Sequence, residues 1–383
     1  MSDQHLHAAL LDQPPLTAAR FAAIERRVAE VMGTTADVIV MQGEALLPLE
    51  GAWRSATRPG TTALNVITGP YGQTFGGWLR DCGAEVVDIE VPYDTAASAE
   101  RIAAALAEHP DTGLVSLVHA EAATGNTNPI AEIGEVVREH GALLMLDAVA
   151  SVAAEPLLTD AWGVDVCVIG AQKAMGGPAG VSAVSVSERA WERIHANPRA
   201  PRRSYLSLLD WKERWIDSGR AALPHAPAQL EMLALEASID RIEATGGLDA
   251  AITRHRAAAA ATRAGTLALH DGATPRAERL RPYVTDARDA APVATTLRAP
   301  DSFDARELVA AANAGSGTLP LVAGGGALAK EMIRVNHYGP DASVEVVERS
   351  LTALALALRA AGHDADPDGA RAAAREAWAT VTG

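Results

Sequence analysis

A chain of 383 residues has room for two or three domains and a large buried core. Its 48% hydrophobic and 21% charged residues are ordinary for a globular protein, and 33 basic against 48 acidic side chains leave a net charge of -15. Such acidity argues against nucleic acid as a partner, because a polyanion meets repulsion and 7 Trp, 5 Tyr and 3 Phe give few stacking platforms. Cys82 and Cys167 are too few for a disulfide framework and suit a reducing compartment. The start, Met1 to His5, lacks a basic stretch leading into an apolar one, and no run of 18 apolar residues occurs, so the expectation is a cytoplasmic protein without a membrane partner.

The first expected element is a helix over Leu16 to Met32, with Phe21, Ile24, Val28 and Met32 on one stripe and Gly33 closing it. Short apolar runs then recur between helical patterns: Val38 to Met41, Thr62 to Thr68, Glu85 to Glu90, Gly113 to His119, Ala142 to Asp147, Val164 to Ile169 and Gly180 to Ser185. Several are apolar on both faces, as buried strands of a largely parallel sheet require, so the fold class is α/β with a seven-stranded sheet. In such folds sites lie beyond the carboxyl ends of the strands. Residues 195–225 carry Pro198, Pro201 and Pro224, with Pro227 just beyond, and read as an irregular connection. Helices are expected over Gln229 to Ala244, Asp249 to His270 and Ala342 to Ala361, with strands at Ala294 to Leu297 and Glu331 to Asn336. A turn-rich break at Asp364 to Gly369 precedes a last, peripheral helix, Ala370 to Thr382. The expected partition is an arm over 1–15, a large domain over 16–245, a small α/β domain over 246–363 and a tail helix over 364–383.

The chemistry concentrates at two strand ends. Asp147 closes one buried run, and 26 residues later Lys173 follows another in a glycine-rich loop that also holds Gln172. Both should face one crevice. A lysine amine forms Schiff bases, and a carboxylate keeps a pyridine nitrogen protonated so that the ring draws off electrons. A surface lysine and a helix-capping aspartate fit those two residues alone equally well.

Read together, the stretch His119 to Pro129, the Asp147 strand end and the Gln172–Lys173 loop resemble the class V aminotransferases of pyridoxal phosphate fold type I, nearest to their alanine–glyoxylate aminotransferase branch. The likeness runs from about Leu16 to Ala361. It implies a large domain with a mostly parallel sheet, a smaller carboxyl-terminal α/β domain, and a homodimer or homotetramer with shared active sites. By residue, it makes Lys173 the Schiff-base lysine and Asp147 the partner of the ring nitrogen. Val149 matches the side chain under the ring, Tyr71 the aromatic stacked on it, Thr124 a hydroxyl near the ring oxygen, Gln172 a cofactor contact and Arg334 the arginine that grips a substrate carboxylate. For Val149 a core role, for Tyr71 a helix-start packing role, for Thr124 a turn-capping role and for Arg334 a surface position are the simpler alternatives.

Two departures stand out. Where the family holds the cofactor phosphate with small residues at a helix start, this sequence has Gln42, Gly43, Glu44 and Ala45. A carboxylate roughly 4 Å from a phosphate would be repelled by about 4 kcal/mol per unit charge at an effective dielectric near 20. The same carboxylate could accept a hydrogen bond from a neutral 5′-hydroxymethyl group, unless it turns to solvent. Where the neighbouring subunit of the family contributes a threonine to the phosphate, His225 stands here. The resemblance therefore implies a branch that treats unphosphorylated vitamin B6 as a substrate, pyridoxamine plus pyruvate giving pyridoxal plus L-alanine, within vitamin B6 degradation. In that branch a second arginine lies nine residues before Arg334, where this chain has Gly325. A conventional alanine– or serine–glyoxylate aminotransferase with bound pyridoxal 5′-phosphate, and a non-catalytic pyridoxal-binding protein, are the alternatives. No metal is expected.

Overall fold

The computed structural model of the chain describes residues 12–271, 273–314 and 319–383; most of the expected arm over 1–15 lies outside them. The first helix, α1 (Ala18–Met32), starts where the Thr17 hydroxyl accepts the Arg20 N–H at 3.2 Å and ends at Gly33 in left-handed conformation. It buries Phe21, Ile24, Val28 and Met32, the stripe its periodicity requires.

Seven strands form the main sheet: β1 (Asp37–Gln42), β2 (Thr62–Ile67), β3 (Glu85–Glu90), β4 (Thr112–Val118), β7 (Leu143–Asp147), β8 (Val166–Gly170) and β9 (Val181–Val186), in the order β1-β9-β8-β7-β4-β2-β3. A separate two-stranded piece, β5 (Ala120–Glu121) with β6 (Asn126–Thr127), follows β4. Strands β3, β2, β4, β7 and β8 run parallel, while β9 is antiparallel to both β8 and β1. Reversing twice returns β1 to the direction of β8. The carboxyl ends of β1, β2, β4, β7 and β8 therefore open on one edge of the sheet. Helices α2 (Leu46–Ala56), α3 (Pro70–Asp81), α4 (Ala99–Glu108) and α5 (Ile130–His140) provide the crossovers. Central β7, β8 and β9 are buried along their whole length, which is why they read as continuous apolar runs.

Residues 195–225 are less a connection than part of this core. After α6 (Glu188–His195), the short α7 (Leu208–Trp211) runs into a π-turn over Lys212–Ile216. It sets Trp211 and Trp215 against Phe21 with ring centroids 6.1 and 5.1 Å apart. The apolar content of that stretch outweighs its three prolines.

Helices α8 (Gln229–Ala244) and α9 (Gly247–Ala268) lead to a second unit. Its antiparallel sheet has the order β10-β11-β13-β12, from β10 (Arg281–Pro282), β11 (Ala294–Arg298), β12 (Leu321–Ala323) and β13 (Met332–Asn336). Helices α10 (Ala305–Ala314) and α11 (Val344–Ala360) cover it, and Leu297, Ile333, Val335, Leu351 and Leu354 form its core. The last helix, α12 (Pro367–Thr382), begins three residues before the expected Ala370, because Asp366 accepts the Asp368 N–H and Pro367 occupies the first turn. Nor is it peripheral: Ala370 and Ala374 are fully buried, and a side chain at Gly265 of α9 would meet Ala370 O at 2.8 Å. Among the described residues no helix is long and apolar enough to cross a membrane.

Buried Trp53 on α2 donates its indole N–H to the Ser116 hydroxyl of β4 at 2.9 Å, a polar tie inside the main core. Ser116→Ala leaves that donor unpaired and is expected to cost roughly 1–3 kcal/mol in denaturant unfolding, with the slope unchanged.

Candidate functional site

The loops beyond β1, β2, β4, β7 and β8 each deliver a side chain to the common edge. Asp147 is the last residue of β7, 5% exposed, and its carboxylate accepts the Val149 N–H at 2.9 Å. Burial pushes its pKa up to about 6, and Glu44 adds to the rise, while the Lys173 charge and the Val149 N–H oppose it. Val149 is itself buried; a side chain at Gly170 would meet its Cγ1 at 3.1 Å, so it fills the space between the ends of β7 and β8.

Lys173 stands just past β8. Its ammonium lies 5.6 Å from the centroid of the Tyr71 ring, which the start of α3 presents. Burial lowers the Lys173 pKa and Arg334 lowers it further, whereas Asp147, Glu121 and Glu44 pull it back up. A buried amine with a depressed pKa is a nucleophile and proton carrier near neutral pH. Tyr71 feels the same ensemble: burial raises its phenol pKa first, then Asp147, Glu44, Glu121 and Tyr338. The geometry thus brings Asp147, Lys173, Tyr71 and Glu44 together.

Glu44 reaches this cluster through backbone geometry. Gly43 has φ +124°, a conformation side-chain-bearing residues rarely adopt, and it is tied on both sides, its N–H to Gly180 O at 2.8 Å and its carbonyl to the Ser182 hydroxyl at 2.9 Å. The chain turns sharply there. Glu44 then accepts the Leu46 N–H at 2.9 Å on one oxygen and the Gln172 side-chain amide at 2.8 Å on the other. The anion at the N-terminus of α2 is therefore the chain's own carboxylate, held beside the lysine loop. The other amide atom of Gln172, Oε1, is buried without a partner.

Arg334 enters from the second unit. It lies on β13, and its guanidinium donates to Ala122 O at 3.4 Å while its Nε stays buried without a partner. An unpaired guanidinium edge near Lys173 is suited to a carboxylate. Gly325 opens into free space, with no atom within 4 Å of where a side chain would begin.

Thr124 and His225 make contacts of their own. The Thr124 hydroxyl, fully buried, lies within reach of Thr68 O at 3.5 Å and Asn126 Oδ1 at 3.3 Å, which ties down the loop after β4. His225 stacks on Tyr205, ring centroids 4.2 Å apart at 26°, with Tyr205 51% exposed. No contact within the chain joins that pair to the cluster among the described residues. Two further site residues carry no signal of their own in the sequence. Tyr338, just past β13, has its phenol pKa raised by burial and lowered by Arg334. Glu121, on β5, is fully buried, and both its carboxyl oxygens lack partners. Among the described residues no group of His, Cys, Asp and Glu could hold a metal ion.

The aromatic, carboxylate and lysine suit a flat pyridine ring, whereas the Glu44 carboxylate takes the helix N-terminus that a phosphate would need. Comparison with known proteins agrees on the class of chemistry. A family profile described as aminotransferase class-V matches residues 13–284. The pyridoxamine–pyruvate transaminase of Mesorhizobium japonicum is 33% identical over 92% of this chain and 86% of its own. The alanine–glyoxylate aminotransferase of Drosophila melanogaster is 28% identical over 81% of this chain and 76% of its own. Among solved structures, pyridoxamine–pyruvate aminotransferase from Mesorhizobium loti superposes with a TM-score of 0.89 at 30% identity, covering 98% of this chain and 94% of that one.

The raised Asp147 pKa has a measurable consequence for the ligand-free chain. A carboxyl group whose folded-state pKa lies above its unfolded value gives stability that is complete below about 4 and lost as pH climbs through about 6. Asp147→Asn is free of this loss, so it should be more stable than the parent above pH 7 by up to about 3 kcal/mol, each tenfold change in proton affinity being worth about 1.4 kcal/mol, with the gain gone at acidic pH. Melting curves across pH check the expectation; an equal difference at every pH would refute it.

Proposed function

This chain belongs to the class-V aminotransferases, and on that premise we propose that it transaminates unphosphorylated vitamin B6, pyridoxamine plus pyruvate giving pyridoxal plus L-alanine. The observation that carries this reading is Glu44, whose carboxylate already occupies the α2 N-terminus and the Gln172 amide. A dianionic phosphate there would face a fixed charge, while a neutral 5′-hydroxymethyl group could donate to it. The likeness to the pyridoxamine–pyruvate enzyme supports the same substrate.

The class depends on pyridoxal phosphate chemistry: the bound pyridine ring supplies an electron sink for the carbon that loses a proton. Each residue has a task around that ring. Asp147 holds a proton on the ring nitrogen, and Val149 and Tyr71 enclose the ring. Lys173 carries a proton between the pyridoxamine methylene carbon and the keto-derived carbon, and its depressed pKa suits a base. Arg334 orients the carboxylate of the keto acid. Gln172 fixes the Glu44 carboxylate from the lysine side.

We also place His225 at the site of a neighbouring copy in a homodimer or homotetramer. Its support is that Tyr205, on which His225 stacks, is half-exposed. A conventional alanine– or serine–glyoxylate aminotransferase with pyridoxal 5′-phosphate is the second reading, favoured by the alanine–glyoxylate relatives. The two differ at Glu44.

Trapping with pyridoxal and borohydride, followed by peptide mapping, is expected to label Lys173; labelling elsewhere with Lys173 untouched contradicts the assignment. Glu44→Ser should weaken pyridoxamine binding by about 1.5–3 kcal/mol, the range for a hydrogen bond to a charged group, and strengthen binding of pyridoxamine phosphate. Titrating both ligands against both proteins at one salt concentration reads the preference. If the parent already prefers the phosphorylated ligand, or the ratio does not move, the conventional aminotransferase is the correct reading.

A further inference from the structure

The reaction outlined above leaves unused a buried acid within the site. Glu121 sits on the short β5 after β4, fully buried, with neither carboxyl oxygen in a hydrogen bond. Its carboxyl group lies over the backbone where α3 begins: a side chain at Gly69 would meet Glu121 Cδ at 2.4 Å and both oxygens at 2.7 Å. Only a glycine allows this approach. The N–H groups of Tyr71 and Gly72, at the open start of α3, lie close enough to favour a charge on Glu121 without forming good hydrogen bonds. Pro70 offers no N–H at all, and Gly69 provides no side-chain cap.

Titratable and charged groups from several elements surround Glu121. Asp147 comes from the end of β7, Lys173 from the loop after β8, Tyr71 from α3 and Tyr93 from the segment after β3; Arg334, bonded to Ala122 O, approaches from β13. Besides Glu44, which is held at the start of α2, two buried carboxyl groups here face a single buried ammonium. Two carboxylates in one desolvated site repel each other, and each loses the water that would otherwise stabilise its charge, so one of the pair keeps its proton. Asp147 has the Val149 N–H, a firm hydrogen bond to the ionised form; Glu121 has none. The proton therefore belongs on Glu121.

We propose that Glu121 is a positioning residue of the class-V site that carries the one proton of the Glu121–Asp147 pair, so that Asp147 faces the ring as an anion and Lys173 meets one fewer negative charge. The direction of its titration fits: burial, then Asp147, pushes the Glu121 pKa up to about 8. Loss of that proton in alkaline solution adds a negative charge beside Lys173, raises the affinity of the amine for its own proton and slows its attack on an aldehyde. Glu121 thus sets an upper pH limit on Lys173 without touching the reacting atoms. The part concerning Lys173 rests on the proposed function; the part concerning Glu121 and Asp147 does not.

Three measurements on the full chain separate the possibilities. In the ligand-free protein, a group with a raised folded-state pKa loses stability as pH climbs from about 4.5 to about 8, so Glu121→Gln, which cannot ionise, should gain in melting temperature over the parent across that interval, beyond any constant offset. In an Asp147→Asn background the gain should shrink, because the repelling charge is gone. A purely structural glutamate would give a difference independent of pH, and that result overturns the proposal. Should Glu121→Gln fail to fold, infrared difference spectra of Glu155→Gln, which removes another buried acid whose pKa burial pushes up to about 7, give the answer: the carbonyl band of a protonated carboxyl group, present at neutral pH, should vanish in alkaline solution. Its absence at neutral pH refutes the proposal. Trapping of Lys173 by pyridoxal and borohydride should be equal in parent and Glu121→Gln under acidic conditions and several-fold faster in the variant at about pH 9. Equal rates at both pH values overturn the link to Lys173. If the parent is not labelled at Lys173 at all, the proposed function fails, while the melting and infrared results still decide the state of Glu121.

Discussion

How much negative charge can surround one buried amine is the constraint on which this structure turns. Lys173 is desolvated by its loop and by Tyr71, so its charge depends on carboxylates nearby. Asp147, Glu121 and Glu44 all act on it, and Arg334 opposes them. Each carboxylate is held differently: Asp147 by a backbone N–H, Glu44 by a helix N-terminus and an amide, Glu121 by packing alone. Those differences, more than the distances, divide the acids into one that stays ionised within the site, one that guards its rim and one that keeps a proton.

The sheet exists in a form that makes this grouping possible. Parallel β2, β4, β7 and β8, with β1 restored to their direction through antiparallel β9, bring five loops to one edge. Close backbone approaches then set the side chains: Gly43 turns Glu44 into the α2 N-terminus, and Gly69 makes room for Glu121. The second unit adds Arg334 from within β13 and Tyr338 from just past its end. Catalytic function here is a property of strand ends meeting, and little of it lies within any single element.

Most of the architecture is legible in the sequence because burial on both faces of a parallel strand writes a continuous apolar run. The inner strands agree within a residue or two, and the edge strand β3, which buries only Ile89 and is read from its β-branched residues, matches Glu85 to Glu90 to the residue. The helix that begins at Pro367 reads late in the sequence because its capping signal, Asp366 before a proline, resembles a turn. The prolines of 195–225 likewise suggest a connection, since local signals say nothing of Trp211 and Trp215 packing on Phe21. Thr124 shows the same limit: a hydroxyl beside a glycine reads as a ligand contact or a turn cap, and the structure gives it to Thr68 and Asn126.

The sequence by itself determined the α/β fold class and the order of the strands along the chain, because these depend on periodicity, and it placed Asp147 and Lys173 at strand ends while leaving their chemistry to the family resemblance. Glu44 is also visible there as an acid where small residues are usual. Only the tertiary structure decided where its carboxylate points, since that follows from a turn at Gly43 and an amide 128 positions away in Gln172. It alone revealed Glu121 as an unpartnered acid beside Asp147. A buried glutamate and a surface glutamate are the same letter, and the difference between them is the water that packing removes.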